Sequence, residues 1–185
     1  MKNSVRITGG DLKGKKIPFH FKSSLRPTSS KLREVLFNWI QFEIHNLKCL
    51  DLFAGTGSLG IEAISRGAHN TVFIESNKKN YRMLKNSIHE LNINDKSMIL
   101  FKDGLAWIKE NNLSDFDLIF LDPPFNENYE KKVLDILKKK QNLKSSCKIY
   151  VEFSKFTKVE IPDSFTISKE KTLGDVKALL LNNDN

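Results

Sequence analysis

Apolar residues change their period along the chain, and the changes mark its elements. Near the N-terminus two short extended runs, Val5–Thr8 and Lys15–Pro18, are separated by Gly9-Gly10 and Gly14, which predicts a small hairpin. Pro27 then disfavours helix before it, while Thr28 or Ser29 can cap a helix after it. Leu32, Val35, Leu36, Trp39 and Ile40 recur at the spacing of one buried helical face. From Cys49 onward strands and helices alternate. The predicted strands are Cys49–Phe53, Thr71–Glu75, Met98–Phe101, Leu118–Leu121 and Lys148–Phe153. The predicted helices are Ser58–Arg66, closed by Gly67, then Lys78–Leu91, Leu105–Glu110 and Tyr129–Lys139, the last with Val133, Leu134 and Leu137 facing inward. Phe165–Ser168 and Val176–Leu181 predict a terminal antiparallel hairpin. The alternation points to an α/β fold, a mostly parallel sheet covered by helices on both faces.

Composition narrows the class. The 185 residues fit one domain, or one domain with a small appendage, and can bury a core without staples. A hydrophobic share of 39% is modest, but 13 Phe and two Trp argue against disorder. No apolar run reaches the roughly 18 residues of a membrane span. No apolar stretch follows the first six residues as a secretory signal requires, so a cytoplasmic protein is expected. Cys49 and Cys147 are too few for a disulfide framework and lack the spacing of a zinc site, so no metal is expected. The charge is uneven. Residues 1–47 carry nine cations and three anions, +6 of the total +8, which suggests a polyanionic partner, nucleic acid first.

Asp51-Leu52-Phe53-Ala54-Gly55-Thr56-Gly57-Ser58-Leu59-Gly60 matches G-x-G-x-x-G between a strand and a helix, the context that motif requires. Gly55 permits the tight turn, Gly57 lets the backbone approach a ligand, and Gly60 lets the helix pack close to the sheet. Glu75 ends the second strand, 20 residues after Gly55, where a carboxylate can accept hydrogen bonds from both hydroxyls of a ribose. The candidates are a dinucleotide, whose pyrophosphate would use the helix N-terminus, and S-adenosylmethionine, whose methionine end is an ammonium that Asp51 can help to hold. With Phe53 the loop reads Asp-x-Phe-x-Gly-x-Gly, which resembles the cofactor loop of class I methyltransferases more than that of dehydrogenases. Asp103 stands where those enzymes contact the adenine amine, or else caps the next helix. Thr56, Ser76 and Gly104 flank these positions and join them as candidate cofactor contacts.

The fourth strand runs into Asp122-Pro123-Pro124-Phe125. Two prolines make a rigid turn that exposes the preceding carbonyls. The Asp122 carboxylate and the Pro123 carbonyl can both accept from one exocyclic amine. Such an amine is a poor nucleophile because its lone pair is delocalised into the base. Two acceptors draw it towards tetrahedral geometry and aim the lone pair at a methyl group, while Phe125 stacks on the base.

Asp-Pro-Pro-Phe resembles the signature of methyltransferases acting on base amines. The whole chain is similar to the RsmD family, through Arg6-Ile7-Thr8-Gly9-Gly10, Arg26-Pro27-Thr28, Arg33 to Trp39, Asp51 to Gly60 and Asp122 to Phe125, with a weaker match at Glu170-Lys171 and Gly174. That resemblance implies a Rossmann-like sheet of seven strands using S-adenosylmethionine. The implied substrate is N2 of guanine-966 of 16S ribosomal RNA in an assembling small subunit. It divides the chain into a basic RNA-docking extension, 1–47, and a methyltransferase domain, 48–185. Arg6, Lys13, Lys15, Arg26 and Arg33 are the candidate phosphate contacts, and a monomer is the simpler expectation.

Alternatives stay open at this level. An adenine-N6 methyltransferase of RNA or DNA would use the same four residues. An NAD-dependent dehydrogenase leaves Asp122 to Phe125 without a role, and a non-catalytic RNA-binding module would use only the basic segment. A cytosine-C5 methyltransferase needs a thiolate, and neither cysteine lies in a Pro-Cys loop.

Overall fold

The computed structural model describes residues 3–19, 29–124, 129–140 and 142–184. Strand β1 (Asn3–Arg6) pairs antiparallel with β2 (Lys16–Phe19), with Val5 opposite Ile17. The hairpin lies where the glycines place it, but Ile7 and Lys15 belong to its turn, through Ile7 N donating to Lys15 O at 2.9 Å. Helix α1 (Ser30–Trp39) is capped by Ser29, whose hydroxyl accepts from Leu32 N at 3.1 Å.

The alternating part follows as β3 (Lys48–Asp51), α2 (Ser58–Ser65), β4 (Asn70–Glu75), α3 (Lys78–Glu90), β5 (Ser97–Phe101), α4 (Gly104–Glu110), β6 (Leu118–Leu121), α5 (Tyr129–Lys138) and β7 (Lys148–Ser154). The chain then closes with β8 (Phe165–Leu173) and β9 (Val176–Asn183). The seven-stranded sheet has the order β5-β4-β3-β6-β7-β9-β8, with β3 to β7 parallel and the last two strands antiparallel. Helices α4 and α5 bury Ile108, Val133, Leu134 and Leu137 against one face. Helices α1 to α3 cover the other. The α/β class, the mostly parallel sheet and the terminal hairpin agree with expectation.

Strand β8 is longer than its apolar residues suggest. Its middle, Ser168-Lys169-Glu170-Lys171-Thr172, is exposed at the sheet edge and carries no alternation to read. Charged side chains there blunt an edge that could otherwise pair with another chain.

The N-terminal part shares its core with the sheet. Val5, Ile7, Ile17 and Phe19 pack with Ile61, Phe73, Leu84 and Ile88. Leu32, Leu36 and Phe37 of α1 pack with Phe120 and Tyr150. The Gly9-Gly10 turn docks on α2, and a Cβ at Gly10 (φ +72°) would fall 1.7 Å from Ser65 O. No helix among the described residues is long and apolar enough to cross a membrane.

Candidate active site

The chain leaves β3 towards β4 on one side, while β6 returns on the other side of β3. Such a point, where strand order reverses, opens a crevice beyond the carboxyl ends of the strands. Asp51 closes β3, Glu75 closes β4, and Asp122 follows β6 directly.

The glycine loop folds around these carboxylates. Glu75 is buried and accepts from Gly55 N at 2.7 Å and Asn77 N at 2.5 Å. Asp51 is buried and accepts from Gly60 N at 3.1 Å. Burial pushes the Asp51 carboxyl up to about 7, with the Gly60 amide opposing and the charges of Asp122 and Glu75 adding to the rise. Burial also raises Glu75, against its amide hydrogen bonds. Two buried carboxylates beside a third suit a ligand with hydroxyls at one end and a cation at the other. That chemistry fits S-adenosylmethionine, and a charged Asp51 disfavours a pyrophosphate beside it.

Gly55 and Gly57 take φ of +54° and +75°, which glycine adopts without strain. Gly57 has a packing role as well. A Cβ there would lie 2.3 Å from Leu84 Cδ1 and 3.3 Å from Ile61 Cδ1, so its missing side chain also makes room for α3. At Gly60 a Cβ would lie 2.3 Å from Phe73, the close helix–sheet packing its spacing implies. Thr56 is buried and Ser76 exposed. Phe53 is partly buried, with its ring 5.3 Å from that of Tyr129. A hollow beside the loop is lined by Pro18, Phe19, Gly55, Thr56, Asn80 and Met83, so the N-terminal hairpin and the glycine loop share it.

Asp103 caps α4, its Oδ1 accepting from Ala106 N at 2.8 Å. It is exposed at the end of β5, and its second oxygen leaves an adenine contact compatible with the cap. Gly104 is buried, and a Cβ there would lie 2.7 Å from Leu52 O. Asp122 is half-buried and Pro123 buried. Phe125 and Arg26 lie outside the described residues.

Arg6, Lys13 and Lys15 are exposed on the hairpin, with Gly14 leaving room for Arg6. Arg33 is a correction. It is 0% exposed, 3.5 Å from Glu62, and donates from Nη2 to Arg6 O at 2.8 Å, so it cannot meet a phosphate from this position. It lies on the face of α1 that packs on the sheet, where Glu62 supplies the countercharge. Glu62 in turn accepts from Thr8 N at 2.9 Å, Gly9 N at 2.7 Å and Arg66 Nε at 2.9 Å.

Sequence reasoning missed Tyr150 and Glu152 on β7, next to β6. Both are buried, and Tyr150 Oη donates to Glu152 at 2.6 Å. A glutamate inside the apolar run Ile149 to Phe153 was the available signal. Tyr129 was read only as a helix start. Burial raises both thiols, Cys147 to about 12, so neither is a ready nucleophile. No cluster of three or more His, Cys, Asp or Glu residues suited to a metal occurs among the described residues.

A family model described as Conserved hypothetical protein 95 matches residues 5–182. The ribosomal RNA small subunit methyltransferase D of Buchnera aphidicola (from Acyrthosiphon pisum) is 40% identical over 180 residues, 97% of this chain and 94% of the relative. A solved structure described as a candidate methylase from Haemophilus influenzae superposes with a TM-score of 0.85 at 35% identity, covering 99% of this chain and all of its own. Another, a candidate methyltransferase from Escherichia coli, gives 0.88 at 27% identity over 98% of this chain and 99% of its own.

Proposed function

The chain belongs to the RsmD family of methyltransferases, whose model is the one described above, and from that premise we propose that it methylates an exocyclic base amine of small-subunit ribosomal RNA with S-adenosylmethionine. The finer reading is N2 of guanine-966 in 16S RNA, in a partly assembled subunit, by a cytoplasmic monomer. One observation carries it. The Asp51–Gly60 loop and the Asp122-Pro123 turn leave adjacent strands, paired Asp51 to Phe120, at the crevice of the sheet.

When bound, S-adenosylmethionine supplies a methyl group made electrophilic by a sulfonium. Glu75, already oriented by Gly55 N and Asn77 N, accepts from the ribose hydroxyls. Asp51 faces the cationic methionine end, which offsets the cost of burying its charge. Asp122 and the Pro123 carbonyl accept the two hydrogens of the target amine. They fix its lone pair towards the crevice and face the positive charge that develops on nitrogen. The work is positioning and electrostatics, and no covalent enzyme intermediate is required.

Mass spectrometry of 16S RNA from cells with and without this protein tests the reading. Loss of one N2-methylguanosine is expected. Loss of an N6-methyladenosine would replace the base, and an unchanged RNA would overturn the function.

A further inference from the structure

Beyond Asp122 the rim continues to a residue the reaction above does not use. Strands β6 and β7 pair in parallel with Leu121 opposite Val151, so Glu152 is the next residue on β7 beside Asp122. Side chains alternate between faces along a strand. Asp51, Phe120 and Tyr150 share the α1–α3 face, since Asp51 is opposite Phe120 and Phe120 opposite Tyr150. Glu152, two residues after Tyr150, falls on the same face. Four carboxylates thus lie on four neighbouring strands in the order Glu75, Asp51, Asp122, Glu152. Neighbouring strands are about 4.8 Å apart.

Glu152 is 2% exposed and its carboxylate is oriented by the 2.6 Å bond from Tyr150 Oη. Behind it lies Arg33, fully buried, whose charge acts on Glu152 as well as on Glu62. Burial and the charges of Glu152 and Asp122 hold the Tyr150 phenol well above its ordinary range, so it stays a donor. A carboxylate accepts up to about four hydrogen bonds, and the one from the Tyr150 phenol fixes its direction.

Guanine and adenine differ beside the amine to be methylated. In guanine the neighbouring ring nitrogen N1 carries a hydrogen, while in adenine N1 is an acceptor. A carboxylate one strand beyond the amine's own acceptor attracts the first and repels the second. Resting on the guanine reading above, we propose that Glu152 accepts a hydrogen bond from N1–H of the target base and so selects guanine. Asp122 then presents the amine and Glu152 reads the ring.

The test uses the full chain and small subunits reconstituted with guanine or with 2-aminopurine at the target position. The analogue keeps the 2-amino group and lacks the N1 hydrogen. Single-turnover transfer of labelled methyl should favour guanine by roughly 10²-fold or more, because a site built around a donor rejects a base without it. In Glu152→Gln the ratio should fall to within about tenfold, since an amide accepts from N1–H or donates to N1. Tyr150→Phe frees the carboxylate to turn, and its ratio should lie between the two; this variant decides the matter where Glu152→Gln does not fold. A structural role alone would slow both substrates together and leave the ratio unchanged. That outcome, or equal use of both bases by the unaltered protein, would overturn the inference while the methyltransferase reading stands. Transfer to neither substrate would overturn both.

Discussion

The two halves of the sheet rim hold their carboxylates by different means. On the β3–β4 side the partners are mainly backbone amides close in sequence, Gly60 N for Asp51 and Gly55 N and Asn77 N for Glu75, with the Asn80 side chain beside them. On the β6–β7 side the partner of Glu152 is a side chain. Tyr150 holds Glu152, and the charge of Arg33 behind it is balanced by Glu62, which also anchors Thr8 and Gly9. A backbone-held carboxylate depends on one loop folding. A side-chain-held one depends on α1, α2, β7 and the N-terminal turn arriving together. The first half should therefore tolerate substitution with little loss of stability, and the second should not.

Glu62→Ala makes the largest break. It removes the ion-pair partner of the fully buried Arg33 and frees the amides of Thr8 and Gly9. Removing one partner of a buried ion pair costs roughly 3–5 kcal/mol. Urea unfolding should show a loss of that order, whereas Asp51→Asn, which keeps an acceptor for Gly60 N and removes a charge that burial disfavours, should not destabilise the protein. Equal losses would erase the distinction between the halves.

Asp122→Ala comes next, and it separates chemistry from binding. The variant removes one of the amine's two proposed acceptors and leaves the β3–β4 half intact. Single-turnover methyl transfer should fall by roughly 10²–10³, with S-adenosylmethionine affinity unchanged by calorimetry. Full activity would mean that other groups orient the amine.

The cofactor half answers to smaller changes. Glu75→Ala should weaken S-adenosylmethionine by about 1–3 kcal/mol, the scale of hydrogen bonds to a charged group. Asp51 adds a pH dependence. Its carboxyl is raised from 3.8 to about 7, so in the free protein it takes up a proton as pH falls through 7. A cationic ligand needs the ionised form, so affinity should fall between pH 8 and 6, by at most about tenfold per unit. Stability of the free protein moves the other way. The native state binds more protons than the unfolded chain between about pH 4 and 7, so stability rises as pH falls across that window. Asp51→Asn should flatten both profiles, and calorimetry in buffers of different ionisation enthalpy should lose its proton release.

The same contrast explains what was legible in the sequence. The glycine loop, Glu75 and Asp122 stand at strand ends with fixed local spacing, and a one-dimensional pattern carries them. Arg33 was misread because its helix turns it inward to a glutamate 29 residues away, a relation no spacing rule encodes. Glu152 was passed over because an acid in an apolar strand gains meaning only once β6 lies beside it. Gly57 has a packing role that its loop position does not announce, its missing side chain making room for Leu84 of the next helix.

The hairpin gives the smallest effect. With Arg33 withdrawn into the core, the exposed cations Arg6, Lys13 and Lys15 remain for phosphate contact on this side. They sit on a hairpin whose Pro18 and Phe19 line one hollow with Gly55 and Thr56 of the glycine loop, so RNA held there would lie near that loop. Each phosphate contact releases condensed counterions, and the logarithm of affinity falls with the logarithm of salt by up to about 0.9 per contact. Lys13→Glu with Lys15→Glu should weaken subunit binding and lower that slope by at most about two. Neither residue pairs with Asp51 or Glu75 among the described ion pairs, so S-adenosylmethionine affinity should not move. Arg33→Met serves as the counterpart. It should leave the salt slope as it is and change stability instead. An unchanged slope in the double lysine variant, or a reduced one in Arg33→Met, would place the docking face elsewhere on the chain.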